Sequence, residues 1–445
     1  MDFKNKKILV IGLAKSGLAA IKLMHRLGAR DITLTEKKEV KEQGLLEFLG
    51  VKIVPQSDEV FDGDYDLVVK NPGVPPVSPF LKKLKDRGIP ITTEVEIAYQ
   101  AAMPQHYVAI TGTNGKTTTT TLVYEFLKTA YGNKAHVGGN IGTPLCEIVL
   151  ENNLLEEKGH YISLEISNAQ LVDIDRFSPE TAVIINLTPD HIDFMGGLDK
   201  YYESKTRVYE NMMPEDVFLL NEDDPIVAEY TRKFPIPCTI KTFSLENNTA
   251  YAHIEDGWMV IGGEKIVSLD DVKVVGRHNL QNILIAATAS LEEGVSPAGI
   301  REVVQNFKGV EHRIEFVREV DGVKYYNDSK GTNTDATITA LKSFDHGVIL
   351  LVGGFEKGLS MDEMKKHLGC VKQVIGYGAS GYRIAHDLVE DAAIVVKDLP
   401  AAVDEARKIA VEGDVVLLSP TTSSFDQYSC FEERGEHFKK VVNAL

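Results

Sequence analysis

Apolar and polar positions alternate along the chain with two different periods, and each change of period marks an element. The first segment opens on KKILVIG, a β-branched run of strand length, and then takes up helical spacing from about Gly17. DITLTE, YDLVVKNPGV and a short ITTE read as further strands. Strands separated by helices predict a parallel, Rossmann-like sheet. EVEIAYQAAM then keeps helical spacing up to Pro104, and a second unit begins. Here HYISLEI, TAVIINL, VFLLN and CTIKTFS read as buried strands, and YAHIEDGWMVIGGEKIVSL reads as antiparallel strands joined by turns. The helix NLQNILIAATASLEEG closes this unit at Gly294. After Gly309, KYYND, GVILLVGG, QVIGYG, AAIVV and VVLLSP form another strand series with helices between them. The pattern predicts an α/β protein of three domains. Residues 1–97 are Rossmann-like, 98–308 are mixed α/β, and 309–445 form a second Rossmann-like sheet. A chain of 445 residues is too long for one core, which fits this division.

Composition narrows the partners. A net charge of −17 argues against broad binding to nucleic acid or acidic membrane, so anionic ligands must meet local basic pockets. Cys146, Cys238, Cys370 and Cys430 are far apart and form no CxxC pair, which suits a reducing compartment and offers no metal framework. The apolar run near the start is short and interrupted by Lys15, and no later run reaches membrane-spanning length. A cytoplasmic protein is expected.

The main chemical signal is VAITGTNGKTTT, in which a strand breaks into a glycine loop before a Thr-rich helical segment. Such a loop can cradle phosphate on the N–H groups of Gly112, Thr113, Asn114 and Gly115. Lys116 then supplies a point charge and the hydroxyl of Thr117 binds Mg²⁺, with Thr118 following in the helix. The spacing is shorter than the general pattern, because Ile110 stands where a glycine is usual. The central domain is therefore expected to resemble a P-loop ATPase. The first turn, Gly12 to Gly17, is a weaker dinucleotide fingerprint. Ala14 replaces its middle glycine, and Glu36 lies near the distance of a ribose-binding acid.

Other candidates gather at predicted strand ends, where open α/β sheets bind ligands. Glu165 closes a buried strand, where a carboxylate needs a metal or a cation. Asp190, His191 and Asp193 follow TAVIINL, and His191 becomes a ligand candidate beside Glu165. Asn279 and Asn282 lie in GRHNLQN, where capping and nucleotide contact are both open readings. His312 and Arg313 precede a strand, and Asp328 and Lys330 follow one in NDSKGTN. Lys357 in GGFEKG and the hydroxyls of LLSPTTSSFDQ complete the set.

TGTNGKTT, GNIG, LEISNAQL, DHIDF, GRHNLQN, EHRIE, NDSKGTN and LSPTTSSFDQ occur in this order over nearly the whole chain, and together they resemble the Mur ligases. Among them the D-glutamate-adding members are closest, from the Rossmann-like first domain and the late F-E-x-R-G. The resemblance implies a peptidoglycan-precursor ligase that uses ATP and Mg²⁺ to join UDP-N-acetylmuramoyl-L-alanine to D-glutamate through an acyl phosphate. It assigns Gly115, Lys116 and Thr117 to ATP, and Glu165, His191 and Lys205 to Mg²⁺. Asn279, Asn282, Arg313 and Asp328 take nucleotide positions. Thr332, Lys357, Ser424 and Phe431 hold D-glutamate, and Ser16, Glu36, Lys37, Asn71, Gly73 and Asn140 hold the UDP-sugar peptide. The family's S-S-F-Q is here Ser167-Asn168-Ala169-Gln170. Lys205 sits in the helix-like YYESKTRVYENM, where a solvated charge is the plain reading. An ammonium repels Mg²⁺, so the resemblance implies a carbamylated Lys205, with an oxygen donor of the kind the metal prefers.

Lys116, Lys330 and Arg313 would gather around the negative charge of both phosphoryl transfer and amide formation. A monomer without nucleic-acid or membrane partners is expected. A different amino acid, a nicotinamide-dependent oxidoreductase built on the Gly12 turn, and a P-loop ATPase that drives a protein partner are the alternatives.

Overall fold

The computed structural model describes residues 3–190 and 192–445. It has two compact units. One holds the residues up to Asp271 together with Gln281–Gln305, and the other holds Val272–Leu280 with Asn306–Leu445.

The first unit carries two sheets. β1 (Lys7–Ile11), β2 (Asp31–Glu36), β3 (Lys52–Pro55), β4 (Leu67–Lys70) and β5 (Ile91–Thr92) form a parallel sheet in the order β3-β2-β1-β4-β5. The strand order reverses beside β1, and ligands bind outside the carboxyl ends of strands at such a point. The helix Ala14–Arg26 starts earlier than the apolar spacing suggested, directly after the glycine turn. Gly17 is required there, since a Cβ would lie 2.3 Å from the Gly12 carbonyl oxygen.

The second sheet runs β14-β13-β12-β11-β10-β9-β6-β8-β7. Its parallel part comprises β6 (His106–Thr111), β7 (Ala135–Gly139), β8 (Tyr161–Glu165), β9 (Thr181–Ile184), β10 (Val217–Asn221) and β11 (Thr239–Phe243). β12 (Ala252–Glu255) joins parallel to β11, and β13 (Trp258–Ile261) and β14 (Glu264–Ser268) continue as antiparallel hairpins. β6, β8 and β9 are buried almost throughout. That is why they read as continuous apolar runs and not as alternation. One core runs beneath both sheets, from Ile8, Leu23 and Met24 to Leu145, Leu164 and Phe218.

The second unit holds β15 (Glu315–Val320), β16 (Val323–Asn327), β17 (Val348–Gly353), β18 (Val371–Tyr377), β19 (Ile394–Val395) and β20 (Val415–Leu418), in the order β15-β16-β20-β17-β18-β19. Only β15 is antiparallel to its neighbour. The carboxyl ends of β16, β17 and β20 therefore lie side by side.

Candidate active site

Where β6 ends, Gly112 has φ +145° and Gly115 has φ +85°, and the helix Lys116–Tyr131 begins at once. Gly115 cannot be replaced lightly, because an added Cβ would meet Asn282 Oδ1 at 2.5 Å. Asn186 holds the loop from the end of β9. Its carbonyl oxygen accepts from Thr113 N at 3.0 Å, and its Oδ1 accepts from Asn114 N at 2.8 Å. This corrects the expectation that all four loop amides stand ready for phosphate, since two of them brace the loop. The anion-binding end of the motif is thus the helix N-terminus at Gly115 to Thr117. Lys116 Nζ folds back over the loop and donates to the carbonyl oxygens of Gly112 and Thr113, both at 2.8 Å.

Lys205 is not a solvated charge. It is 1 % exposed, and its Nζ donates to the Gly112 carbonyl oxygen at 2.9 Å, so it shares that acceptor with Lys116. Burial, and then the nearby Lys116 charge, push its amine well below the ordinary lysine range, while Asp190 and Glu165 only partly oppose the shift. Tyr201, one turn earlier, lies under the amine at 4.9 Å and shares a hydrogen bond with Thr113 Oγ1.

Glu165 sits on the neighbouring strand, 2 % exposed. Its Oε1 accepts from Asn140 Nδ2 at 2.8 Å, and its Oε2 has no hydrogen-bond partner among the described residues. A buried carboxylate oxygen left in this condition suits a hard divalent cation. Glu165 and Thr117 therefore fit the chemistry of Mg²⁺. His191, the other expected ligand, lies outside the described residues. Asn140, expected on the sugar peptide, orients Glu165 here, and its N–H also donates to the Glu165 carbonyl oxygen. Ser167 and Gln170 form a capping box on the helix Asn168–Leu171, which occupies two polar groups of the segment after Glu165.

At the first sheet a cleft of about 730 Å³ opens between the Gly12 turn and the loop after β4. Glu36, Lys37, Asn71 and Gly73 line it, whereas Ser16 does not. Glu36 is committed to the backbone, accepting from Leu13 N at 2.7 Å and from Lys37 N at 2.7 Å. Its burial would raise its pKa, but these amides and that of Lys38 outweigh it and hold the carboxyl below its ordinary value. Asn71 ties the cleft's two sides, with Nδ2 3.4 Å from the Leu13 carbonyl oxygen and Oδ1 accepting from Gly73 N. Lys70, fully buried just before it, donates to the Ala169 carbonyl oxygen at 2.9 Å and pairs with Asp173 at 3.2 Å.

In the second unit, Asp328 is buried at the end of β16. Burial pushes its carboxyl up to about 7, against the pull of Ser419 Oγ (2.6 Å), the Arg313 charge and Ile314 N. Lys357 Nζ reaches the Thr332 carbonyl oxygen at 3.2 Å, and Lys330 Nζ lies 5.9 Å from the Phe431 ring. Ser424, 1 % exposed, follows β20 in the same group of strand-end loops. Asn279 Nδ2 bonds the Val275 carbonyl oxygen, while Asn282 Oδ1 accepts from Thr119 Oγ1 at 3.2 Å. Sequence reasoning passed over Asn186, Tyr201, Lys70 and Arg434. Arg434 alone carried a signal, as the arginine of FEERG.

Two family models match the chain, the Mur ligase middle domain over residues 110–290 and the Mur ligase glutamate ligase domain over residues 312–422. A UDP-N-acetylmuramoylalanine–D-glutamate ligase of Geobacillus kaustophilus is 39% identical over 458 residues, covering 100% of this chain and 98% of its own length. One from Thermoanaerobacter pseudethanolicus is 40% identical over 463 residues, covering 100% of both. Among solved structures, the UDP-N-acetylmuramate-alanine ligase MurC of Thermotoga maritima superposes with a TM-score of 0.57 at 20% identity, covering 99% of this chain and 100% of that one. This last likeness is one of fold.

Proposed function

We propose a function on one premise: this chain belongs to the Mur ligase family. It is an ATP-dependent ligase that adds D-glutamate to UDP-N-acetylmuramoyl-L-alanine in peptidoglycan precursor synthesis, the activity for which its full-length relatives are named. The carboxylate of the L-alanyl substrate attacks the γ-phosphorus of ATP, ADP departs, and an acyl phosphate remains. The amine of D-glutamate then attacks the acyl carbon, loses a proton, and expels inorganic phosphate.

The observation that best supports the site assignment is the convergence of Lys116 and Lys205 on the Gly112 carbonyl oxygen. Lys116 is placed to leave that carbonyl for the transferring phosphoryl group, whose charge exceeds that of a peptide oxygen. Mg²⁺, when bound by Thr117 and Glu165, supplies positive charge that screens the phosphates. Lys205 is assigned as a carbamate. The reaction of an amine with CO₂ needs its neutral form, and burial beside Lys116 favours that form. The charged partner of His191 in this assignment is then an anion. Arg313, Asn279, Asn282 and Asp328 are assigned to the nucleotide, Lys330 to the transferring group, and Thr332, Lys357, Ser424 and Phe431 to D-glutamate. The three-domain division at 97/98 and 308/309, a monomeric state and a cytoplasmic location complete the reading. No helix among the described residues is long and apolar enough to cross a membrane. A nicotinamide enzyme is disfavoured, because the carboxylate that would hold the ribose is taken by backbone amides.

The test is phosphate release with ATP, Mg²⁺ and UDP-N-acetylmuramoyl-L-alanine, screened across amino acids. D-glutamate should give the fastest turnover, and equal or faster turnover with another amino acid sinks the acceptor assignment. Lys205→Ala should be nearly inactive and partly restored by a short carboxylic acid. Full activity of that variant at limiting Mg²⁺ rules out the carbamate.

A further inference from the structure

Arg434 is fully buried in the helix Phe431–Asn443, yet among the described residues no carboxylate forms an ion pair with it. Its guanidinium is spent on three strand-end loops of the second unit. Nη2 donates to the carbonyl oxygen of Ser329 at 2.9 Å, after β16, and to that of Thr422 at 3.1 Å, after β20. Nη1 reaches the Gly353 carbonyl oxygen, at the end of β17, at 3.5 Å. Nε donates to Ser329 Oγ at 3.0 Å, and that hydroxyl in turn donates to the Phe431 carbonyl oxygen at 2.8 Å. The planar fork therefore fixes four backbone segments at once, a task a lysine's point-like ammonium cannot perform. Close packing leaves little slack, since a Cβ on Gly354 would stand 3.0 Å from Nη1.

A buried cation without a direct ion pair is costly in a core, and here the three carbonyls and the charge it shares with the buried Asp328 carboxyl offset it only in part. The field of this one reaches Lys357, whose amine is held below its ordinary range by burial and then by Arg434. An acidic ligand entering between these loops meets an electropositive, prearranged wall.

We propose that Arg434 is a positioning residue for the amino-acid acceptor. Its fork sets the spacing of the loops that carry Thr332, Lys357 and Ser424, and its charge favours an acceptor with a second carboxylate. The inference rests on the ligase reading above. It predicts a split in the kinetics. Arg434→Lys keeps the charge and loses the fork, so the KM for D-glutamate should rise at least ten-fold while the KM values for ATP and the UDP-substrate stay within two-fold. Acyl-phosphate formation, trapped with hydroxylamine in the absence of D-glutamate, should persist in the same variant. Arg434→Met removes the charge as well and should also erode the preference for D-glutamate over D-glutamine. Ser329→Ala removes the hydroxyl that accepts from Nε and bridges to Phe431, while the bonds of the fork to the three carbonyls stay, and it serves if the methionine variant does not fold, with a smaller rise in the KM for D-glutamate alone.

An unchanged KM for D-glutamate in Arg434→Lys and Ser329→Ala overturns the proposal. So does a parallel loss in all three KM values and in acyl-phosphate trapping, which is the mark of a general structural role. The wild-type chain is screened for its acceptor first. If it uses another amino acid, the substrate assignment fails, and the arginine is judged with that acceptor instead.

Discussion

At the scale of single residues, one added carbon interrogates the nucleotide loop. Gly115→Ala forces an alanine into φ +85° and drives its Cβ to 2.5 Å from Asn282 Oδ1. ATP affinity should fall by ten-fold or more in equilibrium binding, while the UDP-substrate, expected at the first sheet, should bind as before. Unchanged ATP affinity would contradict the loop's assignment. Residues of this kind were legible because glycine and the lysine after it punctuate a sequence. Lys205 was only partly so. Its neighbours Glu203 and Arg207 make the stretch look solvated, and only packing shows that this one amine faces inward, against Tyr201. Glu165 was legible as a charge at a strand end, but its dependence on Asn140 is a contact across 25 residues that no local pattern records.

At the scale of elements, the runs that were missed have physical reasons for being faint. β7 contains Gly138 and Gly139, where a Cβ would lie 2.2 Å from the Thr143 oxygen and 2.3 Å from the Glu165 oxygen. Close approach of backbone to backbone removes the side chains that would have announced a strand. β3, Lys52–Pro55, is a half-exposed edge of four residues, too short for a period to emerge. The end of β4 yields a prediction. Lys70 is buried against Asp173, which Lys85 approaches from the surface at 3.5 Å. Lys70→Met leaves the buried Asp173 carboxylate to the surface Lys85 and should cost on the order of 3 kcal/mol in urea unfolding. Adding Asp173→Leu should return much of that loss, since an apolar pair replaces an ion pair at little cost. Additive losses in the double variant would show that the pair is not coupled.

For the whole molecule, charge sets a pH dependence. Burial pushes the carboxyls of Glu94, Glu180 and Glu293 up to about 7, all within the first unit. A carboxyl raised in this way contributes stability that is complete below its unfolded value of 4.5 and is lost as the pH climbs through 7. Each such shift is worth up to about 3 kcal/mol. The first unit should thus melt higher at pH 6 than at pH 8, and Glu94→Gln should flatten the difference. A net charge of −17 acts in the same direction. The path of the chain between units was not legible at all. Apolar spacing sees one helix in NLQNILIAATASLEEG, and the structure has one from Arg277 to Glu292 whose first turn, up to Leu280, belongs to one unit and the rest to the other. Val275, just ahead of it, packs on the core beneath β16 and β17. The gene therefore cannot be cut once to yield two whole proteins. A fragment starting at residue 309 leaves its own missing piece behind, and it should melt several degrees below one starting at residue 272. Recombination that swaps such modules between relatives would have to carry the segment 272–280 with the later half, or accept a chimera whose halves were shaped for other partners.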